Sequence, residues 1–507
     1  MPADSCMSRR TWRCLGALLV LASFFPALAS AQYFGRNRVR YEKFDWQILR
    51  TDHFDVYYYP EEEQGVRDAA RMAERWYQRL SSVFGRGFAE RKSIILYADQ
   101  SDFQQTTLSR GAIGEGTGGF TEALRTRVVM PLTGNYEDTD HVLGHELVHV
   151  FQYDILQQPT PGGGRRSGAG GINLPLWFIE GLAEYLSLGR EYPQSAMWLR
   201  DALIRDELPD LRRLSRNPRY FPYRWGHAFW AYVGGRWGDQ VVGQLFVAGT
   251  QIGIEEALNQ ILGVTSEEFS TAWQASIREA YAPVLAERLA PGSTGQRILP
   301  QRESEEQNPN YIAPVISPRG DEVMLFSTRG LFSFDLYLAD ARTGEIRERV
   351  VSENADPHLD SLRFLDSAGS WSPDGNRFAF VVAARGDNEL AIVDVRSRRI
   401  ERRIPIEGVG QMWNTSWSPD GRSIAFAGSV GGITDLFVHD LESGHTRRLT
   451  NDTFADLQPE WSPDGRTLAF VSDRGRGTNI AELTYGPMGI WLLDVGAGGA
   501  AGEPRQA

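Results

Sequence analysis

Cysteine is nearly absent from this 507-residue chain, and its two copies, Cys6 and Cys14, lie in the first segment. Because the later residues contain no thiol, the sequence excludes a disulfide framework and a cysteine nucleophile there. Basic residues are outnumbered, with a formal net charge of −12 at pH 7, which excludes a general nucleic-acid binder with a broad basic surface. No run of 18 apolar residues follows the first segment, so we expect no membrane span after it.

The first segment has the pattern of a secretory signal. Arg9, Arg10 and Arg13 precede an apolar stretch that runs from Leu15 to Leu28, and small residues then allow cleavage after Ala31. The alternative is an N-terminal membrane anchor, but the stretch is shorter than the ~20 residues that a spanning helix needs. The sequence therefore predicts an exported protein, either periplasmic or extracellular.

The rest of the chain divides into two parts with different patterns. Residues 32–290 mix short β-rich runs with longer helical patterns, whereas residues 311–495 contain an internal repeat. Residues 291–310 between them are polar and rich in turn formers and are interpreted as a linker, and residues 496–507 as a low-complexity tail. In the first part, the periodicity predicts strands at 54–59 and 93–97 and helices at 62–84, 140–156 and 265–289.

The repeat in the second part consists of three W-S-P-D-G motifs, which begin at Trp371, Trp417 and Trp461. A degenerate copy, Ile316-Ser-Pro-Arg-Gly320, precedes them, and the prolines of successive copies lie about 44 to 55 residues apart. A hydrophobic run that ends in Asp recurs later in each unit. A period near 45 with several strands per unit is typical of propeller blades.

Through these motifs, residues 311–495 resemble the TolB-like (WD-type) β-propellers, whose blades carry W-S-P-D-G-x-x-x-A-F. The resemblance implies an all-β propeller domain of about four blades that binds a substrate or a protein partner. TolB-like propellers usually have six or more blades. Two alternatives to a small closed propeller therefore remain: an open or paired array, or a truncated version of a longer protein.

The strongest chemical signal is the motif His145-Glu-Leu-Val-His149. Residues four apart on a helix have Cβ atoms ~5–6 Å apart, so both imidazoles can reach one zinc ion. Glu146 lies beside them as a candidate general base. His141 is excluded as a further ligand, because the helix rises ~12 Å from His141 to His149. The alternative is an ordinary amphipathic helix with surface histidines.

A second predicted helix, from Trp177 to Gly189, carries two carboxylates four residues apart, Glu180 and Glu184. We assign Glu180 as the third zinc ligand and Glu184 to a hydrogen bond that holds a ligand histidine. The alternative is a pair of solvated helix acids. The glycine-rich stretch 159–174 between the two motifs is interpreted as an inserted loop that covers the cleft.

With both motifs, the first domain resembles the gluzincin metallopeptidases of the peptidase MA-like group, whose pattern is H-E-x-x-H followed by a W-x-x-E-G-x-A-E-Y helix. The resemblance covers roughly residues 32–288 and implies an α+β zincin-like fold ahead of the propeller. It also implies one zinc ion per chain, held by His145, His149 and Glu180, with Glu146 as the general base.

The same resemblance implies a helix that faces the metal around residues 223–230. Tyr223 or His227 would donate a hydrogen bond to the developing oxyanion, and packing in an aromatic-rich helix is the alternative for both. The strand pattern at 127–130 is interpreted as one that aligns the substrate backbone. Residues 114–119 match G-x-G-x-x-G without a clear βαβ unit, so we interpret them as a loop beside the cleft.

The sequence thus predicts an exported zinc-dependent endopeptidase, in which a zinc-activated water attacks the peptide bond and Glu146 accepts its proton. Its expected partners are a peptide or protein substrate and a protein bound by the propeller. One alternative is a non-catalytic envelope protein that acts as a binding scaffold through the propeller. Another is an enzyme that uses the same zinc chemistry on a different amide or an ester.

Overall fold

The computed structural model describes residues 41–109, 113–157, 174–288, 293–299, 310–329, 334–352, 361–362, 369–496 and 501–507. The predicted signal segment 1–31, most of the linker 291–310 and nearly all of the glycine-rich stretch 159–174 lie outside these residues. Within them, none of the helices combines the length and the apolar character needed to cross a bilayer.

One mixed sheet forms the centre of the N-terminal part. Its strands are β1 (Gln47–Arg50), β2 (Phe54–Tyr58), β3 (Lys92–Tyr97), β4 (Phe120–Glu122) and β5 (Arg127–Pro131). They lie in the order β1-β2-β3-β5-β4, with β2, β3 and β5 parallel and with β1 and β4 antiparallel to their neighbours. Apolar side chains such as Val56, Ile94 and Val128 are fully buried, as expected for strands covered by helices. The short strand β4 forms one edge of the sheet.

The helices of the described residues almost all lie in this part of the chain. They are α1 (Glu63–Phe84), α2 (Gln100–Gln104), α3 (Tyr136–Gln157), α4 (Leu176–Leu188), α5 (Pro193–Ile204), α6 (Leu211–Arg216), α7 (Pro222–Trp237), α8 (Gln240–Ile252), α9 (Ile254–Ala257) and α10 (Ser266–Glu287). The helices predicted at 62–84, 140–156 and 265–289 correspond to α1, α3 and α10. Thr265 and Glu268 form the capping box at the start of α10, which its hydroxyl and early acids predict.

Glycines allow two pairs of helices to approach closely. A Cβ atom at Gly144 of α3 would lie 2.5 Å from the Trp76 ring of α1, and the Trp76 indole donates to Asp140 Oδ1 (2.7 Å). At the crossing of α4 and α7, a Cβ atom at Gly226 would lie 2.6 Å from the Cα atom of Gly181. These contacts set the positions of α3, α4 and α7, the helices that carry the predicted site.

The C-terminal part is all-β and contains four sheets of antiparallel strands, here called blades 1 to 4. Blade 1 has β6 (Tyr311–Ile316), β7 (Glu322–Ser327), β8 (Asp335–Asp340) and β9 (Ile346–Val351). Blade 2 has β10 (Ser361–Leu362), β11 (Ser370–Trp371), β12 (Arg377–Ala384), β13 (Asp387–Asp394) and β14 (Arg399–Pro405). Blade 3 has β15 (Gln411–Trp417), β16 (Ser423–Val430), β17 (Ile433–Asp440) and β18 (Thr446–Arg448). Blade 4 has β19 (Asp456–Trp461), β20 (Thr467–Ser472), β21 (Gly489–Asp494) and β22 (Arg505–Gln506).

The repeated S-P-D-G segments form the same turn in blades 2, 3 and 4, between β11 and β12, between β15 and β16 and between β19 and β20. In blade 2, the Ser372 hydroxyl donates to Asp374 Oδ1 (2.6 Å) and Gly375 has a φ of +69°. Such a φ is costly for any residue with a Cβ atom. The distance between the serine and aspartate oxygens is also 2.6 Å in the other two turns. The repeat read from the sequence is therefore a repeat of structure, and the four-bladed arrangement is confirmed.

Successive blades share hydrophobic clusters, which join blade 1 to blade 2, blade 2 to blade 3 and blade 3 to blade 4. Among the described residues, no such cluster joins blade 4 to blade 1. The expected tail, where the structure describes it, contributes strand β22 to blade 4. Strand pairing uses backbone groups, so this strand left little pattern in a segment of small residues.

Blades 3 and 4 also pack against the helical part of the chain. Leu483 belongs to the main hydrophobic cluster of the N-terminal part, and the Thr434 N–H donates to the Gly134 carbonyl (3.0 Å), just before α3. Arg75 of α1 forms an ion pair with Asp140 of α3 and donates to the Leu483 carbonyl. The propeller therefore supports the first turns of α3.

Candidate metal centre

Helices α3 and α4 bring three metal-ligating side chains together. The Nε2 atoms of His145 and His149 lie 3.2 Å apart, and both face Glu180 Oε2, at 3.3 Å and 3.1 Å. One ligand atom from each residue lies within 4.8 Å of the other two. Both histidines are buried and Glu180 is partly exposed. The structure therefore groups the three residues that the sequence assigned as zinc ligands.

Glu146 lies beside this cluster and is held by the edge strand β4. The Thr121 hydroxyl contacts Glu146 Oε2 (2.7 Å) and the Glu146 carbonyl oxygen (3.0 Å). A Cβ atom at Gly119 would lie 3.3 Å from Glu146 Cγ, so the end of the loop 114–119 lies against this side chain. Strand β5, the predicted substrate-aligning strand, is interior to the sheet. The strand with an open edge beside Glu146 is β4.

Both histidine rings are oriented through their other nitrogen. Glu184 Oε1 lies 3.1 Å from His145 Nδ1, as the sequence predicts for Glu184. Gln152 Oε1 lies 2.8 Å from His149 Nδ1, and Gln152 Nε2 donates to the Ile179 carbonyl of α4 (3.1 Å). Oxygen acceptors at Nδ1 hold a proton there and direct Nε2 towards the cluster, so Nε2 is the atom available to a metal once its own proton is lost.

Helix α7 completes the surroundings through Tyr223 and Arg224. The Tyr223 ring stacks on His145, with centroids 5.8 Å apart. Burial, together with the negative charges of Glu180 and Glu146, raises the pKa of Tyr223, so its hydroxyl stays protonated and can donate. The Arg224 guanidinium forms an ion pair with Glu184 Oε2, which keeps that carboxylate charged and in place.

His227 donates to a helix end, and His141 borders the cluster with its Nε2 atom 3.8 Å from Glu184 Oε1. His227 Nε2 donates to the Gly189 carbonyl at the end of α4 (2.9 Å), and its Nδ1 atom is buried without a hydrogen-bond partner among the described residues. The role predicted for His227 at an oxyanion therefore stays a prediction, and the observed bond caps the end of α4. His141 Nδ1 contacts Ser187 Oγ (3.0 Å), and burial lowers the pKa of His141 to about 4.

The carboxylates around the cluster outnumber its imidazoles, which favours a cation. Burial lowers the pKa of His145, but the hydrogen bonds of Glu180 and Glu184 raise it, and the result is about 10. Burial raises the pKa of Glu180, but its bonds to His145 and His149 bring it well below the ordinary value. Three carboxylates around two imidazoles thus hold protons on the rings in the absence of metal, and a divalent cation bound there would replace those protons.

We expect Glu184→Gln to lower the affinity for zinc by about 10- to 100-fold without unfolding the protein. The substitution keeps the shape of the side chain but removes the charge that orients His145 and balances Arg224. Competition with a chromophoric zinc chelator measures the effect. The exposed Glu191, close in sequence but with no contact to the cluster in the described residues, provides the control Glu191→Gln. Equal affinities for the two variants would contradict the role of Glu184.

Three contacting residues were missed by sequence reasoning: Thr121, Gln152 and Arg224. Gln152 stands three residues after His149, so helical spacing was an available signal for it. Arg224 directly follows Tyr223, and adjacent residues of a helix point in different directions, so spacing gave no signal for Arg224. Thr121 had none, because only the sheet places β4 next to α3. The three contacts share a function, since each holds a side chain of the cluster or the base beside it.

Comparison with known proteins identifies the propeller. The family model "TolB beta propeller domain" matches residues 367–485, which form most of blades 2 to 4. A search of curated proteins found no match.

Two solved structures resemble part of the chain. One is TolB from Acinetobacter baumannii, with 23% identity, 38% of this chain covered and a TM-score of 0.30. The other is an oligogalacturonate lyase from Vibrio parahaemolyticus, with 14% identity, 39% covered and a TM-score of 0.28. The chain spans 42% and 52% of the lengths of these two solved chains.

Proposed function

We propose that this chain is an exported zinc-dependent endopeptidase with a zincin-like N-terminal domain. The observation that carries the proposal is the convergence of the His145, His149 and Glu180 ligand atoms, 3.1 to 3.3 Å apart, with Glu146 beside them. Carboxylate and imidazole ligands in this combination are typical of catalytic zinc sites with one position left open for water.

The donor set fits zinc in geometry as well as in chemistry. Tetrahedral ligands with bonds of ~2.0–2.1 Å lie about 3.3 Å from one another, close to the three separations in this cluster. The Nε2 atoms already face the centre because Glu184 and Gln152 occupy the Nδ1 atoms. When bound, zinc supplies a Lewis acid that polarises the scissile carbonyl and acidifies water.

Glu146 then carries out the proton transfers, and Tyr223 stabilises the developing charge. Glu146, held by Thr121, accepts a proton from the attacking water and delivers it to the leaving amine. Tyr223 remains protonated because burial raises its pKa, and its hydroxyl donates to the oxyanion that develops on the substrate. The open edge of β4 binds the substrate as an added antiparallel strand beside Glu146.

The direct test is cleavage of a degenerate peptide library by residues 32–507, with one equivalent of zinc, read by mass spectrometry. We expect internal cuts that disappear when 1,10-phenanthroline removes the metal and return when zinc is restored. Cuts confined to chain ends would contradict the endopeptidase assignment. No cuts by a protein with zinc bound would contradict peptidase activity on peptides.

Zinc affinity is expected to depend steeply on pH. The pKa of His145 is raised to about 10 and that of His149 is also raised, so below these values metal must displace protons. Each displaced proton weakens binding about tenfold per pH unit. Between pH 8 and pH 6 we therefore expect at least a 100-fold loss of affinity by competitive titration. Histidines with ordinary pKa values near ~6.5 would instead show a plateau above about pH 7.

A second function is favoured by a separate observation, the match of residues 367–485 to the TolB propeller family. We propose that the four-bladed part binds a protein partner in the cell envelope, so that the chain is at least an envelope-associated propeller protein. The comparisons support this role more directly than peptidase activity, since the matched residues lie in the propeller. If partner binding by the propeller is the whole function, the chain should bind its partner equally well with and without zinc.

A further inference from the structure

A cavity of about 390 Å³ lies between blades 1 and 2, at the end of the blades that carries the S-P-x-G turns. Its volume falls within the usual range of small-ligand sites. The charged residues that line it are four arginines and two glutamates: Arg319, Arg347, Arg396, Arg398, Glu322 and Glu348. Four cations face two anions in this lining, although Arg347 also pairs with Asp340 and Arg319 Nε lies 3.6 Å from Asp321 Oδ2. The chain as a whole carries a charge of −12.

Arg319 lines the cavity because the turn of blade 1 departs from the repeated sequence. The other three turns have aspartate at this position, as in Asp374, which accepts from the turn serine. In blade 1 the serine, Ser317, donates instead to Asp321, two residues further on (2.9 Å). The turn is therefore retained, and residue 319 does not need to accept the hydrogen bond of the turn serine. The guanidinium of Arg319 lies over the next blade, 3.7 Å from where a Cβ atom of Gly375 would stand.

Arg398 lines the same cavity because of a second, independent departure from the repeated sequence. It ends the β13–β14 turn with a φ of +58°, where blades 1 and 3 have Gly344 and Gly444 with φ values of +69° and +72°. The turn is the same in all three, since the N–H of each residue donates to the carbonyl of the aspartate four positions earlier. A left-handed backbone is strained for arginine and free for glycine. The chain therefore keeps a strained arginine where its own repeat uses glycine.

The lining glutamates orient two of the guanidinium groups. Arg398 pairs with Glu348 across the two blades, and Arg347 Nη1 lies 3.1 Å from Glu322 Oε1. Arg319 lies 3.6 Å from Asp321 and 4.0 Å from Glu322, both longer than a hydrogen bond, so its guanidinium retains donors for a ligand. Within the described part of the chain, Arg396 has no ion-pair partner. The cavity thus presents arginine donors that its own carboxylates do not use up.

We propose that this cavity binds an acidic peptide segment, whose carboxylates pair with Arg319, Arg396 and Arg398. Guanidinium groups bind carboxylates through two parallel hydrogen bonds. The cavity is also lined by Leu338 and Val395, apolar surfaces that suit the methylene groups of Glu or Asp side chains. A bare phosphate has no such apolar part, which is why the structure favours carboxylate side chains.

The test is fluorescence anisotropy of a labelled hexaglutamate peptide with residues 32–507 at low salt. The neutral chelator 1,10-phenanthroline keeps the peptide intact without competing as an anion. Labelled hexaglutamine and unlabelled inorganic triphosphate are the comparison ligands. We expect saturable binding of hexaglutamate, no binding of hexaglutamine, and at least tenfold weaker binding of triphosphate.

Two variants introduce residues that other blades have at the same positions, and so they should remain folded. They are Arg319→Asp, which recreates S-P-D-G, and Arg398→Gly, which relieves the positive φ. We expect each to weaken hexaglutamate binding at least about tenfold, with an unchanged circular dichroism spectrum. The exposed Arg342 in the corresponding turn of blade 1 provides the control Arg342→Asp, with the same change of charge and an expected effect below twofold.

Three results would overturn the proposal. The first is the absence of saturable hexaglutamate binding by the unaltered chain. The second is an equal loss in Arg342→Asp, which would assign binding to net charge alone. The third is triphosphate binding as tight as that of hexaglutamate, which would replace carboxylate side chains with a simple anion as the ligand.

Discussion

Replacement of Glu146 by Gln is expected to lower peptide hydrolysis by about 10³-fold while one zinc ion per chain remains bound. The amide keeps the shape of the side chain and its contact with Thr121 but cannot accept the proton of the attacking water. A loss of 10³ corresponds to about 4 kcal/mol of transition-state stabilisation. Rates on one peptide from the library and zinc content by atomic absorption measure the two properties separately.

Glu137→Gln is the matched control, since Glu137 is an exposed residue of the same helix. It should leave hydrolysis and zinc content unchanged. Hydrolysis by Glu146→Gln within tenfold of the unaltered enzyme would exclude Glu146 as the general base. The same variant distinguishes the two proposed functions, because binding of a partner by the propeller does not depend on this proton transfer.

Gly226→Ala is expected to lower the free energy of unfolding by about 3 kcal/mol or more. The new methyl group would lie 2.0 Å from the Trp177 carbonyl oxygen and 2.6 Å from the Cα atom of Gly181, and both contacts belong to helix backbones that cannot rotate away. The helices α4 and α7 must therefore separate. Because α4 carries Glu180 and α7 carries Tyr223, any folded fraction should also bind zinc more weakly.

Gly235→Ala provides the comparison on the same helix. Its Cβ atom would have its nearest neighbour, the Arg190 side chain, at 3.9 Å, so alanine fits there. The better helix propensity of alanine should leave stability unchanged or raise it by about 0.5–1 kcal/mol. Urea unfolding followed by circular dichroism measures both variants. Equal midpoints for the two would show that the crossing of α4 and α7 tolerates a methyl group.

The local elements could be predicted because their signals are local. Helix α1 follows from the spacing of Val66, Trp76 and Leu80, all buried on one face, and α10 from its capping box. The blades follow from a turn motif repeated with little change. The last strand, Arg505–Gln506, left no such signal, since it pairs through backbone groups at the edge of blade 4.

The candidate site was predictable to the extent that it depends on helical spacing. The four-residue intervals of His145 with His149 and of Glu180 with Glu184 placed each pair on one helix face. Spacing does not show that the two helix faces meet or that Thr121 holds Glu146. Both contacts depend on the order of the strands in the sheet and on the close packing of helices at their glycines. His227 shows the limit, because its hydrogen bond to the end of helix α4 is a contact that spacing along the chain does not predict.

The domain order, the four repeats and the ligand types of the candidate metal centre follow from the amino-acid pattern, because spacing along one helix or one turn is a property of neighbouring residues. Three features depend on the folded chain: which strand edge lies beside Glu146, which side chains orient the histidines, and where Arg319 and Arg398 come together. Those contacts join residues distant in sequence, and the packing of sheets and helices sets their distances. No local pattern contains that information.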